Sequence, residues 1–323
     1  MTGSGVSRPG PMRRLLVIPE VGVLIPLLVL VGVFACFEPS FLNPGSWTVM
    51  LRAMAFVGII AVAQTWLMIA GEIDLSVGSV AGLGAVVAAW MMKEAGQPVA
   101  VGLGVGLAVG ALAGLVNGLV VVRLGIPGFI ATLGMLYIAR GFNYLLCQGY
   151  PIYPLPESLQ QFGTAEPLGI SWAFICFLGL VVLGDIGLRR TIYGRMALAT
   201  GGNVEVAAIA GIPTRKVKIA CYVASGMSAA LAGMLLMAQL NVGQPEIGNA
   251  WELDVIASVV IGGVSLFGGV GTVAGTALGL LVMQVVRNGL VMTGVSTHWQ
   301  TVAVGVIMIA AVGFDLLRRR ART

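Results

Sequence analysis

Ten stretches of mostly apolar residues follow one another along the 323-residue chain, and they limit its fold more than any other feature. Most are close to the 20 or so residues that a helix needs to cross about 30 Å of hydrocarbon. Backbone polar groups in lipid must pair within the protein, and the alternating ten-residue segments of a β-barrel are missing. The sequence therefore predicts an all-α membrane protein with about ten transmembrane helices. The stretches are 15–37, 47–70, 75–92, 99–122, 128–148, 170–188, 217–240, 251–266, 270–291 and 298–317.

The scarcity of charge supports this interpretation. Hydrophobic residues make up 58% of the chain, charged residues only 10%, and the mean hydropathy is +0.99. A soluble chain carries about 25% charged residues. So few charges exclude a soluble enzyme, a disordered scaffold and a nucleic-acid-binding module. Lipid is an expected partner and nucleic acid is not.

Positive residues are distributed unevenly between the loops. With the N-terminus placed inside, only Lys93 falls on an outer connection. This bias is typical of cytoplasmic loops, so both termini are expected in the cytoplasm. Tails at 1–14 and 318–323 would then flank a transmembrane domain at 15–317. The inner connections hold Arg8, Arg13, Arg14, Arg123, Arg189, Arg190, Arg195, Arg215, Lys216, Lys218, Arg318, Arg319, Arg320 and Arg322.

Three arginines lie within the apolar stretches, where an unpaired charge is costly. Arg52 and Arg287 are near stretch ends and are expected to snorkel towards water. Arg140 is central, with Asn143 on the neighbouring turn. We expect Arg140 to line a cavity or to form a buried pair.

The chain offers no constellation for metal binding or catalysis. Its four Cys are scattered, and its one His, His298, lies beside Trp299 as an expected interfacial anchor. We therefore predict no catalytic residue and no metal site. The P-loop motif Gly-x-x-x-x-Gly-Lys-Ser/Thr is also missing, so uphill transport by this chain would require an external motor.

A polar segment at 71–79, Gly-Glu-Ile-Asp-Leu-Ser-Val-Gly-Ser, interrupts two apolar stretches. Ionisable groups at such a place tend to face a cavity or a partner. One interpretation is a broken helix in which freed backbone groups and Asp74 shape a polar path. The alternative is that Asp74 or Ser76 caps the following helix.

The segment 191–213 contains a predicted short helix on the inner side. Asn203 is a good N-cap, Glu205 suits the positive end of the helix dipole, and Gly211 with Pro213 ends the helix. A helix this short is unstable alone in water. It is therefore expected to dock against its own spans or in the groove of a partner.

Glycine recurs every four residues in two of the stretches, which predicts close helix packing. Asn-Gly-Leu-Val follows the repeat in both, at 117–120 and 288–291. The predicted topology gives these two spans opposite directions, as an inverted repeat requires. The glycines are Gly102, Gly106, Gly110, Gly114 and Gly118 in the first stretch, and Gly271, Gly275 and Gly279 in the second.

Three segments resemble the permease subunits of bacterial ABC importers for sugars, of the ribose, xylose and autoinducer-2 type. They are Gly71–Ser79, Thr191–Ile212 (T-x-x-G-R…G-G-N-x-x-A-A-x-x-G-I) and Val260–Thr272. The resemblance extends from about residue 40 onward, with a similar spacing of apolar stretches. One departure is Glu72, which stands where the family's Gly-Gly-Ile-Asp-Leu-Ser-Val-Gly-Ser has glycine. Because of Glu72, the family pattern does not determine the local backbone path here or the polarity of the pathway.

The resemblance implies a vitamin-B12-importer-like permease fold in a bacterial inner membrane. It implies a pore of two identical or related permeases, a cytoplasmic ATP-binding subunit that hydrolyses ATP, and a periplasmic sugar-binding protein. The chain itself would be no enzyme and would hold no cofactor. The residues expected to couple to the ATP-binding subunit are Asn203, Glu205, Ala207, Ala208 and Gly211. The candidates for the pathway or its gate are Asp74, Ser76, Asn117 and Asn143.

Other functions remain open at the level of sequence. Related ABC permeases carry branched-chain amino acids or nucleosides. An ion-coupled secondary carrier is the alternative of a different class, because Glu72 and Asp74 at a helix break suit cation coupling. An intramembrane enzyme is disfavoured by the single His and the missing metal motifs.

Overall fold

The computed structural model describes residues 19–320 as a bundle of α-helices. Two short 3-10 segments, Pro39–Leu42 and Pro167–Gly169, lie in its loops. The helices are α1 (Pro19–Phe37), α2 (Pro44–Ile69), α3 (Val77–Lys93), α4 (Val99–Leu124), α5 (Gly128–Cys147), α6 (Glu157–Thr164), α7 (Trp172–Arg190), α8 (Ile192–Gly202), α9 (Val204–Ile209), α10 (Thr214–Leu240), α11 (Trp251–Ile261), α12 (Val273–Met292) and α13 (Thr297–Arg320).

The all-α prediction is confirmed for the described residues. Each predicted apolar stretch contains one helix, and six helices (α2, α4, α5, α7, α10 and α12) are long and apolar enough to cross a membrane. The helical parts Gly22–Phe37, Val77–Lys93 and His298–Ala310 are apolar but shorter. The predicted tail 1–14 lies outside the described residues, and of the predicted tail 318–323 the structure describes only 318–320, at the end of α13.

Three predicted boundaries differ from the structure. The stretch 251–266 is helical only to Ile261, because the chain turns at Gly263, whose φ is +87°. The segment 149–169, whose prolines predict an extended loop, contains α6 after them. The inner segment holds α8 as well as the predicted short helix, since Thr191 caps α8 through the amide of Gly194.

A different set of short helices lies at each end of the bundle. At one end, which we call the α9 end, α8 and α9 lie near Ile69, whose carbonyl accepts from the amide of Gly269 over 2.9 Å. At the other, the α6 end, α6 packs on α10 where Gly163 approaches Ala238. Helix α10 has 27 residues, a length of about 40 Å, and joins the two ends.

The glycine repeat of α4 lies against α10, as the spacing predicts. A Cβ atom on Gly110 would lie 2.4 Å from the carbonyl oxygen of Gly226, and one on Gly114 would lie 2.2 Å from that of Tyr222. Such distances are shorter than van der Waals contact. The stripe therefore allows two backbones to approach more closely than any larger residue permits.

Helices α3 and α11 begin beside each other in the interior and run in opposite directions. Gly78 and Gly248 touch there: a Cβ on either would lie 2.2 Å from the carbonyl oxygen of the other. From this point α3 runs to the α6 end, and α11 runs to the α9 end. Helices α4 and α12 are likewise antiparallel and pack on α3 and α11, respectively. Opposite directions of these helices are what an inverted repeat requires, and the repeat itself stays a prediction.

Candidate functional site

The segment 70–76 leaves α2 at the α9 end and enters the bundle without helical structure. Gly71 takes the left-handed turn with φ +83°, so the family glycine replaced by Glu72 is not needed for that conformation. The amide of Glu72 donates to Leu67, and the amide of Leu75 donates to the hydroxyl of Thr132 on α5 over 3.0 Å. Irregular backbone is tolerated at membrane depth when protein surrounds it and supplies such partners.

The carboxylate of Asp74 lies in a hydrogen-bond network with three other buried residues. One carboxylate oxygen accepts from the amide and the hydroxyl of Ser76 at 2.9 and 2.6 Å. The other accepts from the hydroxyl of Ser225 on α10 at 2.9 Å. The side-chain amide nitrogen of Asn117 on α4 donates to the Ser76 hydroxyl at 3.0 Å. Three elements, the break, α4 and α10, are thereby joined at one carboxylate.

This network contains features of both interpretations of the break. Ser76 occupies the N-cap position of α3, but its side chain makes no capping hydrogen bond; it donates to Asp74 instead. The helix is therefore broken, and the carboxylate of Asp74, not the Ser76 side chain, accepts a backbone amide at the start of α3. A polar path past Asp74 stays a prediction. All four side chains are buried within this one chain, so the network is a closed junction in the observed conformation.

Asn143 lies apart from this network, between α5 and α3. Its amide nitrogen donates to the carbonyl of Ser79 at 3.2 Å, while its carbonyl oxygen and the Ser79 hydroxyl are buried without a partner in the described part of the chain. One turn away, Arg140 donates to the carbonyl of Pro245 at 2.6 Å. Arg140, which is half-buried, thus holds the segment 241–250 against α5 through a backbone carbonyl, and its predicted role in a cavity or a buried pair stays a prediction.

The other two arginines form ion pairs. Arg52 pairs with Glu166, in the loop after α6, and Arg287 pairs with Asp254, in the first turn of α11. Each arginine therefore has an acidic partner in the described part of the chain, and snorkelling towards water stays a prediction. Their partners lie far along the sequence, so no local pattern indicates the pairing.

Glu72 is held by two side chains of α10. Its carboxylate forms an ion pair with the Lys218 ammonium at 2.6 Å and accepts from the Tyr222 hydroxyl at 3.1 Å. The residue that departs from the family pattern therefore ties the break to α10. Four residues of this site are not predictable from the sequence, because each is conspicuous only once α10 and α5 lie beside the break. They are Lys218, Tyr222, Ser225 and Thr132.

Helix α9 projects from its end of the bundle as a capped and exposed turn. The Asn203 side chain accepts from the amides of Glu205 and Val206, each at 3.0 Å, which confirms the predicted N-cap. Ala207 is buried, whereas Ile209 is 89% exposed. Gly211 ends the turn with φ +83°. The exposed apolar side chain on this six-residue helix makes α9 a candidate docking surface.

The three segments that carry the family resemblance meet beside α9. A Cβ on Gly201 would clash with the carbonyl of Ile69 and lie 2.7 Å from the amide of Gly269; one on Gly268 would lie 2.9 Å from Cα of Gly71. We call these five residues the glycine junction. It supports α8 and α9 on closely packed backbone. The described residues include no group of three or more His, Cys, Asp or Glu side chains that could hold a metal ion.

Comparison with known proteins gives the family of this chain. Residues 48–312 match the family described as branched-chain amino acid transport system / permease component. The ribose import permease protein RbsC of Bacillus subtilis (strain 168) is 39% identical over 302 residues, which are 93% of each chain. The L-arabinose ABC transporter permease protein AraH of Azospirillum brasilense is 35% identical, over 93% of this chain and 88% of its own.

RbsC of Escherichia coli (strain K12) is 36% identical over 298 residues, which are 90% of this chain and 92% of that one. No solved structure matches the chain. The family match covers most of the helical bundle, including the break, α9 and all three segments of the glycine junction. The chain belongs to the branched-chain amino acid transport system / permease component family.

Proposed function

We propose that this chain is the permease subunit of an ATP-driven importer, which translocates a sugar delivered by a periplasmic binding protein. The observation that carries the proposal is the capped, exposed α9 supported by the glycine junction, in a chain whose relatives are named permeases for ribose and L-arabinose. The chain supplies the conduit and no catalytic residue. Because its sequence lacks a P-loop, the energy comes from another subunit.

The ATP-binding subunit docks on α9. Asn203 caps the first turn of α9, and Gly211 allows the chain to turn away after the helix. Glu205 and Ala208 lie on the exposed surface of α9, while Ala207 faces the bundle. Ile209 then enters an apolar groove of the partner, as an amphipathic helix does in a helix-in-groove contact. The glycine junction transmits movement of α9 to the break at 70–76, since Gly71 and Gly201 are in contact.

The bundle crosses a bacterial inner membrane with the α9 end in the cytoplasm. In this arrangement all ten apolar helices, including the short α3 and α11, contribute to the span as in a vitamin-B12-importer-like fold. Both termini are then cytoplasmic, which agrees with the concentration of Lys and Arg in alternate loops. Irregular segments at 70–76 and 241–250 complete the short spans where protein surrounds them.

A second permease copy completes the pore. The side chains of the Asp74 network, Asp74, Ser76 and Asn117 among them, are buried inside one chain. In the observed conformation a solute therefore passes beside this network and not between its members. We assign them to a gate that holds the start of α3 in place. Asn143 belongs to the same gate through Ser79, one turn into α3.

The cargo is assigned to the sugars because the relatives named above are ribose and L-arabinose permeases. The family description names branched-chain amino acids, which remain the second candidate cargo, together with nucleosides. The ion-coupled carrier is less favoured because the Glu72 carboxylate already has Lys218 and Tyr222 as partners and is not free to bind a cation.

Transport in proteoliposomes tests the proposal. The chain is reconstituted with its ATP-binding subunit and binding protein, and uptake of labelled ribose, arabinose and leucine is measured with and without ATP. We expect pentose uptake only when all components and ATP are present. Uptake by the permease alone, driven by an ion gradient, would establish the secondary carrier. ATP-dependent uptake of leucine alone would establish the amino acid permease.

A further inference from the structure

Two apolar cavities lie end to end along one side of the bundle. The cavity at the α9 end has a volume of about 630 Å³, and its wall is formed mainly by α2, α7, α8 and α10. The cavity at the α6 end has a volume of about 510 Å³, and its wall is formed by α4, α6, α7 and α10. Leu107 and Leu231 line both cavities, so the two form one continuous groove. We call it the α7–α10 groove.

The groove follows one face of α10 over the whole thickness of a membrane. Its lining residues on α10 recur every three or four positions, which is the spacing of a single helix face. From Val217 to Ala238 this face rises about 32 Å, which matches the hydrocarbon core of a bilayer, about 30 Å thick. Tyr193 lines the groove at the α9 end, and Trp172, stacked on Phe162, lines it at the α6 end. Such rings are typical of the two membrane interfaces.

Contacts behind the groove hold its two walls apart. Helix α7 packs on α2, where a Cβ on Gly58 would lie 2.5 Å from the ring of Phe177. The Trp66 indole also donates to the carbonyl of Gly184 on α7 at 3.2 Å. Helix α10 is held against α4 by the glycine repeat, and α7 and α10 do not pack closely on each other in the described structure. The groove is therefore fixed by the bundle.

The chemistry of the lining selects an apolar occupant. Apart from Tyr193 and Ser228, the residues that line the α9-end cavity between α7 and α10 have hydrocarbon or sulfur side chains or a paired indole. The Ser228 hydroxyl already donates to the carbonyl of Ser225 at 2.8 Å. Water is not held by such a lining, because buried water needs about three polar partners. An empty groove would forfeit dispersion contacts along both walls, so a flexible hydrocarbon chain is the occupant that the lining fits.

Each wall carries an exposed cation at the α9 end of the groove. Arg190 lies two turns beyond Leu183 on α7, and Lys216 lies one turn before Ala220 on α10. Both cations therefore lie on the helix faces that line the groove. Neither has an ion pair among the described residues. Basic residues between transmembrane helices, next to an apolar surface, favour the headgroup of an anionic phospholipid.

We infer that the α7–α10 groove binds an anionic phospholipid from the leaflet at the α9 end. An acyl chain lies along α10 in the groove, and the phosphate group lies between Arg190 and Lys216, with the Tyr193 hydroxyl as a further donor. The charge of the headgroup and the length of the groove distinguish this lipid from those that surround the bundle in general. The site goes beyond the proposed function, because it requires neither cargo nor the ATP-binding subunit.

Photolabelling of the full chain in nanodiscs tests the inference. The nanodiscs contain phosphatidylcholine and a small fraction of phosphatidylglycerol that carries a diazirine on one acyl chain. After irradiation, mass spectrometry identifies the labelled residues. We expect labels concentrated at 217–231 of α10 and 180–184 of α7. Excess unlabelled phosphatidylglycerol should compete for these positions, and a probe with the same acyl chain on phosphatidylcholine should label them much less.

Two pairs of variants locate the site. Ala224→Trp fills the groove and is expected to lose most of this labelling, whereas Ala310→Trp adds the same side chain on an exposed face of α13 that lines neither cavity, and should not change it. Arg190→Gln combined with Lys216→Gln is expected to lower the preference for phosphatidylglycerol by about five-fold per charge. Arg123→Gln, at an exposed position in the last turn of α4, should change it by less than about two-fold. Thermal unfolding of each variant shows that it is folded.

Three results would overturn the inference. Equal labelling of all exposed helices by both probes would reveal ordinary surrounding lipid. An equal effect of Ala224→Trp and Ala310→Trp would place the bound lipid elsewhere. A groove without label, in a chain that Ala224→Trp converts from dimer to monomer, would show that a second permease copy covers it. Because cargo and the ATP-binding subunit are absent from the experiment, failure here leaves the proposed transport function untouched, and failure of transport leaves this site untouched.

Discussion

The hydroxyl of Ser225 donates a 2.9 Å hydrogen bond to the buried carboxylate of Asp74. The two residues are 151 positions apart, so this contact joins the first half of the chain to the second. It holds the irregular segment before α3 against α10. In the proposed function, the same contact fixes the gate.

Ser225→Ala is expected to lower the free energy of unfolding by about 1–3 kcal/mol, because it leaves one oxygen of a buried carboxylate without its donor. Ser228→Ala is the matched control one turn along α10. Ser228 donates only to the backbone of its own helix, so its loss is expected to cost about 0.5 kcal/mol or less. Unfolding in detergent measures both. Equal stabilities for the two variants would contradict the assigned role of Ser225.

Two adjacent glycines test the glycine junction. Gly201→Ala places a Cβ against the backbone of Ile69 and Gly269, whereas a Cβ on Gly202 meets no atom within 4 Å. We expect Gly201→Ala to destabilise the protein by about 1–3 kcal/mol through overpacking, and Gly202→Ala to be nearly neutral. Thermal unfolding distinguishes them, and an unaffected Gly201→Ala variant would show that the junction tolerates side chains.

The Asn203 cap supports the proposed docking helix. Asn203→Ala removes the acceptor for two amides of a six-residue helix and is expected to cost about 1 kcal/mol. We expect weaker co-purification of the ATP-binding subunit and slower ATP-driven uptake. Asn203→Asp keeps the acceptor oxygen and is expected to restore both. If Asn203→Ala and Asn203→Asp reduce coupling equally, the capped first turn of α9 is not what the ATP-binding subunit recognises.

Arg140 is expected to hold the segment 241–250 in place. Arg140→Leu removes the donor to the Pro245 carbonyl, so amide hydrogens of residues 242–250 should exchange faster. Arg123→Leu removes an exposed arginine in the last turn of α4 and should leave this segment unchanged. Hydrogen–deuterium exchange measures both variants. Unchanged amide protection of residues 242–250 in Arg140→Leu would show that Arg140 does not hold this segment.

Hydropathy predicts most of the fold because lipid imposes one simple rule, that backbone groups must pair locally. Local chemistry also predicts the N-cap of α9, since Asn203 needs only the two following amides. The early end of α11 was missed because Gly262 and Gly263 lie inside an apolar run, where hydropathy does not register a turn. Helix α6 was missed because prolines dominate the pattern that precedes it.

The candidate site was predicted less completely because it is made of contacts between distant segments. Asp74, Ser76 and Asn117 stand out as polar residues in apolar surroundings, and they do meet. Ser225 is one of many small residues on α10, and nothing in its neighbours marks it. The pairing of Arg52 with Glu166 spans 114 residues, which no periodicity within a single span can reveal.

In the proposed function, an external motor contacts this permease at α9. A photo-crosslinking amino acid is placed at Ile209, and separately at Tyr153, which is exposed at the α6 end. The full transporter is then irradiated in membrane vesicles. We expect a crosslink from position 209 to the ATP-binding subunit and none from position 153. A crosslink to that subunit from position 153, with none from position 209, would contradict it.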